Sequence, residues 1–210
     1  MIIMQLEHSE VLKIFNKYNF KFPKTLIYTE NKRPKINYPF FLKIDSKEVI
    51  HKSDLNLVYH ISNETELKNS LKNSKKILKK NKIENYHFLL QESVKGIELI
   101  IGMNRDPVFG PVILFGLGGI FVELIKDTSL RIAPLKKSDC IEMIAETKTK
   151  KLFEGFRGLP KINQSHVIDI LQKISKFAIK ETNISQIDFN PVIVNEKGAY
   201  IVDARVIRNV

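Results

Sequence analysis

Three oxygen-bearing side chains near the C-terminal end sit where a buried strand should have none. Asp188 and Asn190 fall in the apolar run 187–194 (IDFNPVIV), and Asp203 falls in 199–207 (AYIVDARVI). NEKG lies between the two runs, and Gly198 can supply the φ > 0 that a tight hairpin needs. Such a hairpin brings the three side chains side by side. Hard oxygen donors suit Mg²⁺, which keeps several waters and is held by one or two carboxylates plus substrate phosphates. The same spacing also suits solvated or loop-capping residues, and alone it does not decide between the two.

Two further features bear on that choice. FGLGGIFVE (115–123) reads as a strand running into a glycine-rich turn, where Gly116, Gly118 and Gly119 let backbone N–H groups approach an anion. It is neither a Walker A loop nor a Rossmann fingerprint, and a plain tight hairpin turn is the competing reading. Lys43 sits in the apolar run PFFLKID (39–45), where its charge must find an anion or reach solvent. Period-2 alternation makes it either a phosphate contact or an outward-facing strand residue.

The elements that must position these residues follow from periodicity. Apolar positions 11, 12, 14, 15 and 18 predict a helix over 9–19 with Ser9 as its N-cap. Strands are expected at 24–28 and 39–45, and a capping box of Asn63 and Glu66 opens a lysine-rich helix. HFLLQESV, IELIIGMNRD, VFGPVILFG and SLRIAPL read as strands separated by Gly and Pro. Helices are expected at 138–148 and 165–180, before the closing hairpin. This order indicates an α+β (mixed α/β) fold, with lobes expected at 1–84 and 85–210.

Composition narrows the function classes. The 210 residues are 43% hydrophobic and 27% charged, an ordinary soluble globular balance. No run approaches the ~18 apolar residues of a membrane span, and no secretory signal is visible at the start. Cys140, the one cysteine, can form no internal disulfide, which fits a reducing cytoplasm. The net charge of +11 is uneven, with seven lysines (68, 72, 75, 76, 79, 80 and 82) between Glu66 and Glu84. Leu67, Leu71 and Leu78 mark the apolar face of that helix. The lysines read as a solvated face or as an anion-binding patch; no aromatic interleaves them, which argues against stacking on nucleic-acid bases.

Longer strings carry a resemblance across nearly the whole chain. LKIDSKEVIHKSD, LLQESVKGIELIIGMNRDPVFGPVILFGLGGIFVELIKDTSLRIAPL, LFEGFRGLP and IDFNPVIV…GAYIVDARV resemble the beta subunit of ADP-forming acetyl-CoA synthetases. That subunit is the ATP-grasp domain of NDP-forming acyl-CoA synthetases and is related to the succinyl-CoA synthetase beta chain. The resemblance implies an ATP-grasp fold, with ATP or ADP clasped between two lobes and Mg²⁺ as cofactor. It implies the reaction acyl-CoA + ADP + phosphate ⇌ acid + CoA + ATP. Phosphate first adds to the acyl group. The phosphoryl group then passes to a histidine of a CoA-binding alpha subunit, to a histidine of the beta subunit, and to ADP.

By the same resemblance, the beta-chain histidine of the IHKSD motif is His51, and Lys43 is the phosphate-side lysine. Glu92 lies at the strand and hinge beside the adenine, and Glu98 near the ribose. Asn190 and Asp203 match the metal pair, with Asp188 beside them. A neutral imidazole is a competent nucleophile near pH 7, and Lys52 and the FGLGG amides are suited to compensate a phosphoryl charge in transit. Glu123, Arg131 and Arg157 match family positions without assigned roles. The implied assembly is alpha2beta2, with CoA and the acyl group bound by the partner and no membrane contact.

The chain departs from the family's pattern in three places. Leu55, Asn56 and Leu57 follow HKSD where the family usually has two glycines, Gln186 replaces a common Glu, and the lysine-rich helix is more basic than usual. Two other functions compete: an ATP-grasp ligase that uses an acyl-phosphate without phosphohistidine, and a basic nucleotide- or nucleic-acid-binding module.

Overall fold

The computed structural model describes residues 3–30, 34–46, 48, 55, 57–119, 127–155 and 162–209. In chain order the elements are β1 (Ile3–Gln5), α1 (His8–Asn16), β2 (Thr25–Ile27), β3 (Phe40–Asp45), β4 (Tyr59–Ile61), α2 (Glu64–Lys80), β5 (His87–Glu92), β6 (Ile97–Asp106), β7 (Gly110–Leu117) and β8 (Thr128–Ile132). There follow α3 (Lys137–Glu146), α4 (Thr149–Phe153), α5 (Ser165–Lys180), β9 (Ile184–Asn195), β10 (Gly198–Ile201) and β11 (Ala204–Asn209).

The chain divides into two compact units, Pro23–Val94 and Met1–Phe22 with Lys95–Val210. The expected lobes, 1–84 and 85–210, differ from these at both ends. Strand β5 belongs with the first lobe's strands, because it is the hydrogen-bonded centre of their sheet, between β2 and β3. The N-terminal segment belongs with the C-terminal one, because Ile3–Gln5 pairs with Ile207–Asn209.

The smaller unit is a four-stranded antiparallel sheet in the order β2-β5-β3-β4. Strand β3 alternates buried and half-buried positions, sending Phe40, Leu42 and Ile44 into the core and Lys43 to the other face. Helix α2 adds Leu67 and Leu78 to that core. Its N-terminus is capped as expected: the Glu66 amide donates to Asn63 Oδ1 at 2.9 Å, and the Ser62 amide to Glu66 Oε2 at 2.8 Å. Leu57, where the family usually has glycine nearby, is fully buried in the same core. The chain after the IHKSD motif is thus fastened by an apolar anchor.

The larger unit is a seven-stranded antiparallel sheet, β1-β11-β9-β6-β7-β8 with β10 also paired to β9. Helices α1, α3 and α5 contribute Val11, Phe15, Cys140, Met143, Ile144, Ile170, Leu171, Ile174 and Phe177 to its core. Helix α1 begins one residue before Ser9; its N-cap is Glu7, whose amide donates to Glu10 Oε2 at 3.1 Å. Burial pushes the Cys140 thiol up to about 11, which makes it an inert core side chain. Short α4 was not expected from periodicity.

The conspicuous NRDPVFG string turns out to be architectural. Arg105 donates to the carbonyls of Ala178 (2.8 Å), Ile184 (3.2 Å) and Glu181 (3.3 Å), closing the C-terminal end of α5. Asp106 Oδ1 accepts from the amides of Val108 and Phe109, shaping the β6–β7 turn, and Gly110 takes φ +73°.

Truncating the apolar anchor should be costly. Leu57→Ala is expected to lower stability by about 2–5 kcal/mol in urea denaturation. A loss below about 1 kcal/mol would show that Leu57 is not packed as described.

Candidate functional site

Strand β9 carries core residues on one face and oxygen-bearing side chains on the other. Ile187 and Phe189 are buried, while Asp188 and Asn190 alternate to the opposite side. Pairing with β11 sets Arg205 opposite Asp188 and Ala204 opposite Phe189. The β10 register is in step with this, from Gly198 opposite Asn195 to Ile201 opposite Val192. Asp203, one step from Ala204, therefore falls opposite Asn190. The Val202 amide donates to the Pro191 carbonyl at 3.0 Å, which carries the ladder across the gap between β10 and β11. The expected hairpin and its three side chains are thus brought together.

The electrostatics of this cluster are those of a site short of positive charge. Burial, and next the charge of Asp203, raise the Asp188 pKa above its ordinary value, and Arg205 opposes the rise. Asp203 Oδ1 accepts from the Ala204 amide at 3.0 Å. Among the described residues no three His, Cys, Asp or Glu side chains gather as a metal site. The arrangement here is two carboxylates and one amide oxygen, a donor set that fits Mg²⁺ bound chiefly through substrate phosphates and water. Arg205 was not foreseen from sequence; alternation on AYIVDARVI, which puts residues 203 and 205 on one face, was the signal available.

The glycine turn sits against this cluster. The Gly119 amide points to Asn190 Oδ1 at 3.4 Å, and the Gly118 amide donates to the Glu98 carbonyl at 2.9 Å. Added methyl groups would collide with the Glu98 carboxylate at Gly119, with the Leu99 backbone at Gly118 and with the Asp127 carbonyl at Gly116. Gly119 also takes φ +70°. Gly116 and Gly118 are therefore required by close approach of backbone and Gly119 by its positive φ, and the amides of Gly118 and Gly119 are engaged inside the chain.

The remaining positions divide between the units. Glu98, on β6, lies beside Gly119 and so beside the oxygen cluster of the larger unit. Lys43 and Glu92 belong to the smaller unit, where they lie on opposite faces of its sheet: Lys43 pairs with Leu89, whereas Glu92 pairs with Phe40. Gln91, buried on the Lys43 face, donates to Thr25 Oγ1 at 3.3 Å. Arg131 forms an ion pair with Glu146 and lies 3.8 Å from Glu142, tying β8 to α3. His51, Lys52, Glu123 and Arg157 lie outside the described residues.

Mixed helices and two antiparallel sheets define an ATP-grasp class of fold, and the comparisons agree. A family model described as "ATP-grasp domain" matches residues 4–207, and the chain belongs to that family, within the group of ADP-forming acetate–CoA ligase beta subunits. The acetate–CoA ligase [ADP-forming] I subunit beta of Pyrococcus furiosus is 36% identical over 211 residues, 98% of this chain and 91% of that one. The 4-hydroxybutyrate–CoA ligase [ADP-forming] of Nitrosopumilus maritimus is 37% identical over 217 residues; the match covers 97% of this chain but only 30% of the longer relative. The dinucleotide-forming acetyl-coenzyme A synthetase 1 of Ca. Korarchaeum cryptofilum, solved with coenzyme A, Ca-AMPCP and HgCl⁺, has a TM-score of 0.89 at 36% identity, covering 98% and 94% of the two chains. The same enzyme with coenzyme A and Mg-AMPPCP, its phosphohistidine segment pointing towards the nucleotide binding site, has a TM-score of 0.80, again at 36% identity and covering 97% and 92%.

The raised Asp188 pKa has a stability consequence. An unfolded Asp titrates near ~3.9, so the folded chain carries the cost of the ionised carboxylate above its raised pKa and sheds it as pH falls. Asp188→Asn should therefore raise the melting temperature of the metal-free chain at pH 7, with the gain vanishing below the ordinary carboxylate range. An unchanged or lower melting temperature at pH 7 would mean that Arg205 fully offsets the charge.

Proposed function

We propose that this chain is the nucleotide-binding subunit of an ADP-forming acyl-CoA synthetase and that it moves a phosphoryl group between His51 and ADP or ATP. The observation that carries the reading is the Asp188–Asn190–Asp203 cluster, in a chain matched nearly end to end by a ligase beta subunit. When bound there, Mg²⁺ would neutralise charge on the nucleotide phosphates. Asn190 and Asp203 would hold it, with Asp188 as the third ligand. In the ATP-consuming direction a neutral His51 nitrogen attacks the γ-phosphorus. The N–P bond forms as the bond to the β-phosphate oxygen breaks, and ADP leaves.

The other residues take supporting roles. Lys43 is the phosphate-side cation, Glu92 adjoins the adenine, and Glu98 approaches the ribose. Gly116, Gly118 and Gly119 serve the nucleotide site indirectly: Gly118 and Gly119 hold Glu98 and Asn190 in place, and Gly116 lets β8 approach at Asp127 and Thr128. This last role rests on their close packing. CoA and the acyl group would be bound by a CoA-binding alpha subunit with its own histidine, in an alpha2beta2 assembly. Support for a partner comes from the relatives named as beta subunits. A cytoplasmic location is part of the same proposal; among the described residues no helix is long and apolar enough to cross a membrane.

With the partner chain and Mg²⁺, [γ-³²P]ATP is expected to label this chain with an acid-labile phosphate, and His51→Ala is expected to abolish the label. Labelling of His51→Ala at the parent rate would rule out the relay and leave a ligase without phosphohistidine. By calorimetry, Asp203→Ala should weaken Mg²⁺-dependent ADP binding by at least about tenfold. Unchanged affinity would remove the metal assignment.

A further inference from the structure

The basic helix contains a feature that the nucleotide chemistry does not use. Positions 64, 67, 68, 71, 72 and 75 of α2 recur at intervals of three and four, so they share one face. That face and the segment 34–38, together with Tyr28 and Glu30, line an open cavity of about 990 Å³ within the smaller unit. This is at the upper end of the ~300–1,000 Å³ usual for small-molecule pockets. Lys43 does not line it.

The lining combines three chemistries. Ile36 and Leu67 are buried and give it an apolar base. Tyr28 and Tyr38 supply aromatic walls, and the Tyr38 ring is held by stacking on Phe40, centroids 4.9 Å apart at 22°. Among the described lining residues four lysines face two glutamates. Lys68 is 2.7 Å from Glu64, and Lys75 is 2.7 Å from Glu30. Those pairings leave Lys35 and Lys72 as the surplus charge. The lysine run is therefore not one uniform solvated face: Lys68, Lys72 and Lys75 turn towards the cavity, whereas Lys76, Lys79 and Lys80 do not line it.

We propose that this cavity binds a small aromatic phosphate, with the planar ring against Tyr28 and Tyr38 and the phosphate held by Lys35 and Lys72. An apolar base and two aromatic rings favour a planar ring. Two lysine ammonium groups not taken up by the cavity's glutamates favour a compact, doubly charged anion over a neutral ligand. Lys43, Glu92, Glu98, Asp188, Asn190 and Asp203 are not among the cavity's lining residues, and the proposal does not depend on the phosphoryl-transfer reading.

The test uses the full chain, ¹⁵N-labelled, titrated with phenyl phosphate. Saturable amide shifts centred on Tyr28, Ile36, Leu71 and Lys72 are expected. Lys35→Glu/Lys72→Glu should weaken binding at least tenfold, and the milder Lys35→Gln/Lys72→Gln serves if the first fails to fold. Both lysines are exposed, so the core should remain intact. Asp203→Ala should leave the titration unchanged, and Lys35→Gln/Lys72→Gln should leave phosphoryl labelling unchanged, so failure of either reading is recognisable by itself. Absence of saturable shifts, equal affinity for inorganic phosphate, or binding of an acidic peptide in place of phenyl phosphate would each overturn the proposal.

Discussion

Two carboxylates, Asp188 and Asp203, are held on one face of a sheet whose other face is packed core, and the larger unit is arranged around that placement. Unassisted, the pair is unfavourable: burial and mutual repulsion both push Asp188 towards its protonated form. Relaxation is blocked because β9 cannot shift by one residue without turning Ile187 and Phe189 out of the core. Register on both sides of β9, with β6 and with β11, is the constraint that keeps the charges where they are. The cost is one that a bound cation would reverse.

The aromatic core is the counterweight. Phe189 lies one residue from each of Asp188 and Asn190, and its ring meets Phe15 at 5.2 Å and Phe20 at 5.8 Å. Phe15 in turn stacks on Phe177 of α5 at 4.5 Å. Edge-to-face and offset rings of this kind add to burial and fix orientation. The N-terminal helix is thus packed against the strand that carries the site, although some 170 residues separate them in sequence. That packing, together with the pairing of β1 and β11, is why residues 1–22 belong with the C-terminal unit.

Much of this was readable in the sequence, because it follows from local periodicity. The α5 helix, the capped start of α2, the middle strands and the closing hairpin all follow from apolar spacing and turn residues. The division into units was not readable in the same way, because strand pairing between distant segments leaves no local mark. Neither β1 with β11 nor β5 between β2 and β3 has a period to betray it. For the candidate site, spacing singled out Asp188, Asn190 and Asp203 but left their purpose open. The cavity beside α2 was invisible, because the lysine pattern alone does not say what faces it.

The glycine string shows why a conspicuous motif need not be a ligand contact. FGLGG invites an anion-cradle reading, since closely spaced glycines expose amides. In the fold, the amides of Gly118 and Gly119 already have carbonyl and carboxamide partners, and each of the three glycines lets another chain segment approach. Their chemical contribution is indirect: a side chain at Gly119 would displace Glu98 and loosen the contact with Asn190. The amides of Gly118 and Gly119 are thus already committed within the larger unit. The turn and the oxygen-bearing cluster are therefore one construction, in which Gly118 and Gly119 pack directly against Glu98, Leu99 and Asn190.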